Sequence, residues 1–163
     1  MTQTSSPGTD GQTHLVGPAR RMAELAAYYE QLSLGNLERL GRFYAEQARF
    51  KDPFNDVVGV DAIQSIFRHM FDTVQQPRFV VHDTIVQGDK GFLVWSFHFY
   101  STGGRTARAW EIKGGSHVQW GSDGRIVLHR DYWDAAEELY EKLPVLGGLM
   151  RYLKRKLAVP VVR

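Results

Sequence analysis

The sequence predicts an α+β domain: a cone-shaped, curved antiparallel sheet with N-terminal helices packed on its concave face. Three observations lead there. Up to about residue 74 apolar residues recur at helical spacing. From Phe79 the period changes to strict alternation, and the turn signals Gly88-Asp89-Lys90-Gly91 and Gly121-Ser122-Asp123-Gly124 cut the second half into long strands. Runs of helices followed by runs of strands mark the α+β class, and 163 residues are enough for one domain with a real core.

Residues 1–18 are rich in Thr, Ser, Gly and Gln and carry almost nothing apolar, so a disordered tail is expected. Met22, Leu25, Ala26, Tyr29 and Leu32 form the stripe of a first helix over residues 19–32. Gly35-Asn36 breaks it, and Leu37, Leu40, Phe43 and Tyr44 read as a short second helix capped by Asn36. Residues 48–53, ending at Pro53, read as a short edge strand, because proline cannot donate to a sheet ladder. Ile63, Ile66, Phe67, Met70 and Phe71 give a third helix over residues 60–74. Strands follow over residues 79–87, 92–100, 106–120 and 125–134, with Gly114-Gly115 marking a bulge or sharp bend in the third of them. Asp134 can cap a helix over residues 135–142. Residues 19–143 therefore form the domain, and residues 144–163 a basic amphipathic C-terminal helix and tail, suited either to packing on its own domain or to lying on a membrane surface.

Composition narrows the function classes. No apolar run approaches the roughly 20 residues of a membrane helix, and no charged n-region with an apolar h-region opens the chain, so a cytoplasmic protein without membrane insertion is expected. There is no cysteine, which removes thiolate chemistry and disulfides. The formal charge of +2 hides an asymmetry, since residues 142–163 hold six basic and no acidic residues while residues 1–141 hold 14 basic against 18 acidic. An acidic body is the opposite of a nucleic-acid-binding face. The six histidines show neither H-x-x-x-H nor H-E-x-x-H spacing, so no metal site is expected, and no glycine-rich phosphate loop points to a nucleotide cofactor.

The densest chemistry lies in the last strand. Alternation puts Val127, His129, Asp131 and Trp133 on one face and Ile126, Leu128, Arg130 and Tyr132 on the other. A carboxylate and an imidazole two residues apart, flanked by apolar groups, describe either a reactive pocket wall or a solvated rim. Trp95, Phe97 and Phe99 share one strand face, as core or pocket lining, with Ser96, His98 and Tyr100 on the other, where a dimer interface is one use. Asp52, between Phe50 and Phe54, is either a buried general base or the acceptor of an Asp-Pro turn. Of Tyr28 and Tyr29 only one can face inward.

Two local patterns resemble the nuclear-transport-factor-2-like superfamily, which includes ketosteroid isomerases, limonene-type epoxide hydrolases and SnoaL-like polyketide cyclases. Tyr28, Gly35 and Phe50-Lys51-Asp52-Pro53 stand at the spacing of the isomerases' oxyanion tyrosine, interhelical glycine and catalytic Asp before Pro. His129-Arg130-Asp131-Tyr132-Trp133-Asp134 resembles the Trp-Arg-Asp-Tyr-Phe-Asp segment of the epoxide hydrolases. The resemblance covers about residues 20–140. Ser116 stands where the isomerases have a protonated Asp, and Val94-Trp95-Ser96-Phe97-His98 lacks the hydrolases' Arg-x-Asp pair. The resemblance implies a homodimer and a cofactor-independent acid/base enzyme, isomerase- or cyclase-like, acting on a small hydrophobic steroid-, terpenoid- or polyketide-like ligand. Asp131 is the expected principal acid/base group, with His129 its partner, Asp52 a second carboxylate and Tyr28 an oxyanion donor. Trp133, Trp95, Phe97, Ser116, Phe50 and Phe54 are the expected ligand-binding residues. A non-catalytic binding or protein-interaction module of the same fold is the alternative.

Overall fold

A computed structural model describes residues 17–101, 107–143 and 146–157. Residues 1–16 of the expected N-terminal tail, residues 102–104 of the expected turn and the last six residues lie outside them, while Pro18, expected in the tail, opens the first helix.

Helix α1 (Pro18–Glu30) starts on a proline, whose missing N–H costs nothing at the first helical position. It buries Met22, Leu25, Tyr28 and Tyr29. A 3₁₀ turn (Leu34–Arg39) and one turn of helix, α2 (Leu40–Phe43), follow. The chain then extends into β1 (Tyr44–Lys51) and, after a tight turn, β2 (Asp56–Val58). Helix α3 (Val60–Thr73) leads to β3 (Val74–Gln87), β4 (Lys90–Ser101), β5 (Ala109–Trp120) and β6 (Ile126–Tyr132). Helix α4 (Ala135–Glu138) is capped by the Asp134 carboxylate, which accepts from the amides of Ala136 and Glu137. A 3₁₀ turn (Tyr140–Lys142) and α5 (Leu146–Leu157) complete the described chain.

The six strands form one sheet in the order β2-β1-β6-β5-β4-β3. All pairs are antiparallel except β1 with β6. The core lies between the helices and one sheet face, where Leu25, Leu40, Ile63, Leu93, Val118 and Ile126 are at most 2% exposed. The expected α+β class with N-terminal helices against a largely antiparallel sheet is what the chain adopts.

Four expectations are corrected. The strand ending before Pro53 is not an edge: it sits between β2 and β6, and Pro53 falls in the turn beyond it. Tyr44 belongs to no helix, because the backbone extends there (φ −105°, ψ 138°) and opens β1. Gly114 and Gly115 cause no slip in the β4–β5 register. They are small because aromatic rings lie over them: a Cβ on Gly114 falls 2.6 Å from Cη2 of Trp95, and one on Gly115 falls 2.5 Å from the Phe92 ring. The bulge lies instead where Gln119 and Trp120 pair with Leu128 and Ile126. It leaves Val127 39% exposed and turns Ile126 inward with His129.

Helix α5 packs through its polar side on the acidic segment before it. Arg151 donates to the Glu141 carbonyl, and Lys154 lies 3.4 Å from the carboxylates of both Glu137 and Glu141. Its leucines at 149, 153 and 157 stay 53%, 41% and 83% exposed, so the stripe does not pack on its own domain as anticipated.

The glycine assignment is testable. Gly114→Ala is expected to lower stability by about 1–3 kcal/mol in urea titrations, the usual cost of overpacking. Gly148→Ala, with nothing within 4 Å of its Cβ, is expected to leave stability unchanged or raise it by up to about 1 kcal/mol through helix propensity.

Candidate active site

Past the bulge, β6 alternates as expected and aims His129 and Asp131 at the core face. Ser116 is the register partner of Asp131 on β5, so their side chains stand side by side on that face. The Ser116 hydroxyl donates to Oδ1 of Asp131 at 2.5 Å. Trp95 on β4 lays its indole over Gly114, and from there its Nε1–H donates to Oγ of Ser116 at 2.8 Å. From the other side, His129 Nε2 lies 2.8 Å from the same Oδ1. His129 is 1% exposed, walled by Phe50 with ring centroids 4.9 Å apart and by Tyr44, which stacks at 5.9 Å. Tyr44 Oη reaches His129 Nδ1 at 2.5 Å, and Tyr29 Oη on α1 reaches Tyr44 Oη at 2.6 Å.

Donor and acceptor roles along this chain follow from its ends. A carboxylate only accepts, so Nε2 of His129 carries a proton, and in the tautomer protonated there alone Nδ1 is the acceptor. Tyr44 must then donate to Nδ1, and its oxygen accepts from Tyr29. Burial pushes the Tyr29 phenol well above its ordinary value, with Tyr44 and Asp131 adding to the rise. Burial does the same to Tyr44 and outweighs the opposing hydrogen bond from Tyr29. Both phenols therefore stay protonated. Every donor in the run Trp95, Ser116, His129, Tyr44, Tyr29 points toward one carboxylate oxygen. The other oxygen of Asp131, Oδ2, has no hydrogen-bond partner among the described residues.

Asp131 also borders empty space. A small inner cavity of about 20 Å³, room for about one water, is lined by Tyr29, Phe67, Phe79, Trp95, His129 and Asp131. An outer, apolar one of about 1200 Å³, counting its open mouth, shares Phe67, Phe79, Trp95 and Asp131 and adds Phe97, Trp133 and Met70. Phe54, 57% exposed, sits edge-on to Trp133 with centroids 5.5 Å apart at the rim. Among the described residues no group of three or more His, Asp or Glu side chains is placed to hold a metal ion.

The structure brings together His129, Asp131, Ser116 and Trp95 in the network, and Phe50, Phe54, Phe97 and Trp133 around the outer cavity. Two expected catalytic residues are placed otherwise. Asp52 lines the outer cavity, but both its oxygens are taken: Oδ1 accepts from the amides of Phe54 and Asn55, and Oδ2 from the Asn55 side chain. It is the acceptor of the β1–β2 turn. Tyr28 donates to the Asn36 carbonyl at 3.1 Å and opens onto a different cleft, so the inward tyrosine of the pair is Tyr29. Tyr29 and Tyr44 are the members of this network that sequence reasoning missed. The signal for Tyr29 was its helical phase with Met22 and Leu25; Tyr44 was hidden by its apparent membership of a helix.

Comparison with known proteins follows this geometry. The SnoaL-like domain model matches residues 25–129. No curated protein sequence matches the chain. Among solved structures, an NTF2-like protein of unknown function from Burkholderia pseudomallei is 17% identical, over 72% of this chain and 91% of that one, with a TM-score of 0.62. A hypothetical protein with a ketosteroid isomerase-like fold from Catenulispora acidiphila is 15% identical over 73% and 88%, at 0.61. A proposed SnoaL-like polyketide cyclase from Shewanella denitrificans is 16% identical over 76% and 98%, also at 0.61. At these identities the likeness is one of fold.

Two measurements check the network. Tyr44→Phe leaves Nδ1 of His129 and the Tyr29 hydroxyl without partners, and is expected to cost about 1–3 kcal/mol in chemical denaturation. Because both phenols hold their protons more tightly folded than unfolded, stability is full below the ordinary phenol value of 10.0 and falls as pH rises above it. The expected slope is about 1.4 kcal/mol per pH unit for each tyrosine. Tyr29→Phe should flatten it.

Proposed function

This chain belongs to the SnoaL-like domain family, and on that premise we propose that it is a cofactor-independent acid/base enzyme moving a proton at a carbon beside a carbonyl group of a small hydrophobic molecule. One observation carries the reading: two hydrogen bonds converge on Oδ1 of Asp131 while Oδ2 remains unpartnered on a carboxylate bordering an apolar cavity. Among the described residues no lysine or arginine pairs with it. Arg130 lies 4.9 Å over the Tyr132 ring, and Lys51 pairs with Asp56 at 3.0 Å. A base anchored through one oxygen and open at the other is the arrangement that proton abstraction needs.

In this reading Oδ2 takes the proton of a C–H bond next to a carbonyl, and the electron pair left behind spreads onto the carbonyl oxygen as an enolate. Return of the proton at another carbon gives an isomer. Attack of the enolate carbon on a second carbonyl of the same molecule closes a ring. His129, buried beside it, orients Asp131 through Nε2–H. Tyr29, the outermost donor of the chain, is the hydroxyl able to turn from Tyr44 to a developing oxyanion. A polyketide-like substrate supplies several carbonyls on an apolar frame, and several structural relatives carry the name of proposed polyketide cyclases. Steroid- or terpenoid-like ketones fit the same lining. Epoxide hydrolysis ranks lower, because residues 94–98 supply no Arg-x-Asp pair.

The test is solvent-deuterium exchange, followed by proton NMR, on a panel of apolar β-diketones and β,γ-unsaturated steroid ketones. The native protein is expected to exchange a ligand that it binds, and Asp131→Asn to bind it equally while exchanging it roughly 10²–10⁴-fold more slowly. Binding by both proteins without exchange identifies a non-catalytic ligand-binding module instead. Native-rate exchange by Asp131→Asn removes Asp131 from the chemistry.

A further inference from the structure

A second cleft, of about 920 Å³ counting its open side, lies on the other side of α1 from the Asp131 cavity. The adjacent tyrosines divide the two: Tyr29 lines the inner cavity, Tyr28 this cleft. Three arginines line it, Arg21 on α1, Arg39 at the end of the 3₁₀ turn and Arg42 on α2. None of the three has an ion pair or side-chain hydrogen bond among the described residues, and Nε of Arg21 is buried without any partner. The Arg21 guanidinium lies against Gly124, held at φ +79°, where a Cβ would collide with Nη1. The one carboxylate in the cleft, Glu24, is engaged by Arg20 at 2.8 Å.

Such an arrangement is unfavourable in the empty protein. Three like charges face one concavity without a counter-charge, and a buried guanidinium N–H with no acceptor forfeits a hydrogen bond. Charge balance within the lining does not explain them, since its one carboxylate among the described residues, Glu24, already has its cation. An acceptor from outside supplies the missing counter-charge to the three guanidinium groups that line the cleft. A single carboxylate satisfies one guanidinium fork and cancels one charge, whereas phosphoryl oxygens are several, multiply charged and matched to arginine forks. Tyr28 and Phe43, stacked with centroids 4.7 Å apart, add a flat apolar wall beside the cations. We infer that this cleft binds a small phosphorylated anion through Arg21, Arg39 and Arg42, at a site separate from the one proposed for proton transfer.

Isothermal titration calorimetry on the full chain tests this with inorganic pyrophosphate, inorganic phosphate and citrate at physiological salt. Pyrophosphate is expected to bind saturably with a stoichiometry of one, phosphate more weakly, and citrate least. The double variant Arg39→Gln/Arg42→Gln alters two exposed side chains and leaves the core untouched. It is expected to weaken pyrophosphate binding about 10- to 100-fold, the scale of losing one charge-assisted hydrogen bond. Arg68→Gln, an exposed arginine on α3 outside the cleft, should bind as the native protein does, and so should Asp131→Asn. Absence of saturable binding, equal binding by the double variant, or citrate binding as tightly as pyrophosphate overturns the assignment.

Discussion

A buried imidazole needs partners for both its nitrogens, and that need at His129 governs much of what surrounds it. An unpartnered polar group at 1% exposure would cost about 1–3 kcal/mol, a large share of the stability of a domain this size. The requirement is met from two directions. Asp131 is supplied two residues along the same strand, which fixes the strand face. Tyr44 is supplied by β1, the strand paired in parallel with β6, whose register shifts between Tyr44 and Arg49. Tyr44 then needs a donor of its own, and Tyr29 provides it from α1. The docking of the first helix is in this way tied to the orientation of a side chain on the last strand.

Steric fit holds the far end of the same chain. Consecutive residues of β5 face opposite sides of the sheet, so Gly114 makes room for the Trp95 indole on the core side and Gly115 for the Phe92 ring on the other. Only because the indole can lie flat over Gly114 does its N–H reach Ser116, and only then is the serine's proton left for Asp131. Both glycines serve packing, and through Trp95 the packing at Gly114 also positions the hydrogen-bond chain.

Most of the fold was legible, because helical and alternating periods are written in the sequence itself. The parts that were not legible share a physical cause. Tyr44 has the right phase to extend an amphipathic turn, and nothing local says that the backbone extends there; pairing with β6, some eighty residues away, decides it. Residues 56–58 are too short to show a period. The bulge at Val127 depends on how β5 and β6 come together, so alternation read along β6 alone placed Val127 wrongly while placing His129, Asp131 and Arg130 correctly. In the site, residues whose neighbours lie on the same strand or on an antiparallel neighbour close in sequence were found from the sequence. Tyr44, which reaches His129 from a parallel strand far away in sequence, and Tyr29, joined from a helix across the core, were not.

The two carboxylates near the outer cavity show what a sequence pattern leaves undecided. Asp52 has the more suggestive setting, between two phenylalanines and before a proline, yet four hydrogen bonds from Phe54 and Asn55 occupy both its oxygens. Drawing one of them into proton transfer means opening the β1–β2 turn. Asp131 receives fewer hydrogen bonds, both on one oxygen, and keeps the other free beside the cavity. The reactivity of a buried carboxylate is set by the lone pairs that its anchoring leaves over. By that measure the chain has fixed both oxygens of Asp52 in a turn and has left one oxygen of Asp131 without a hydrogen bond from the described residues, beside the cavity.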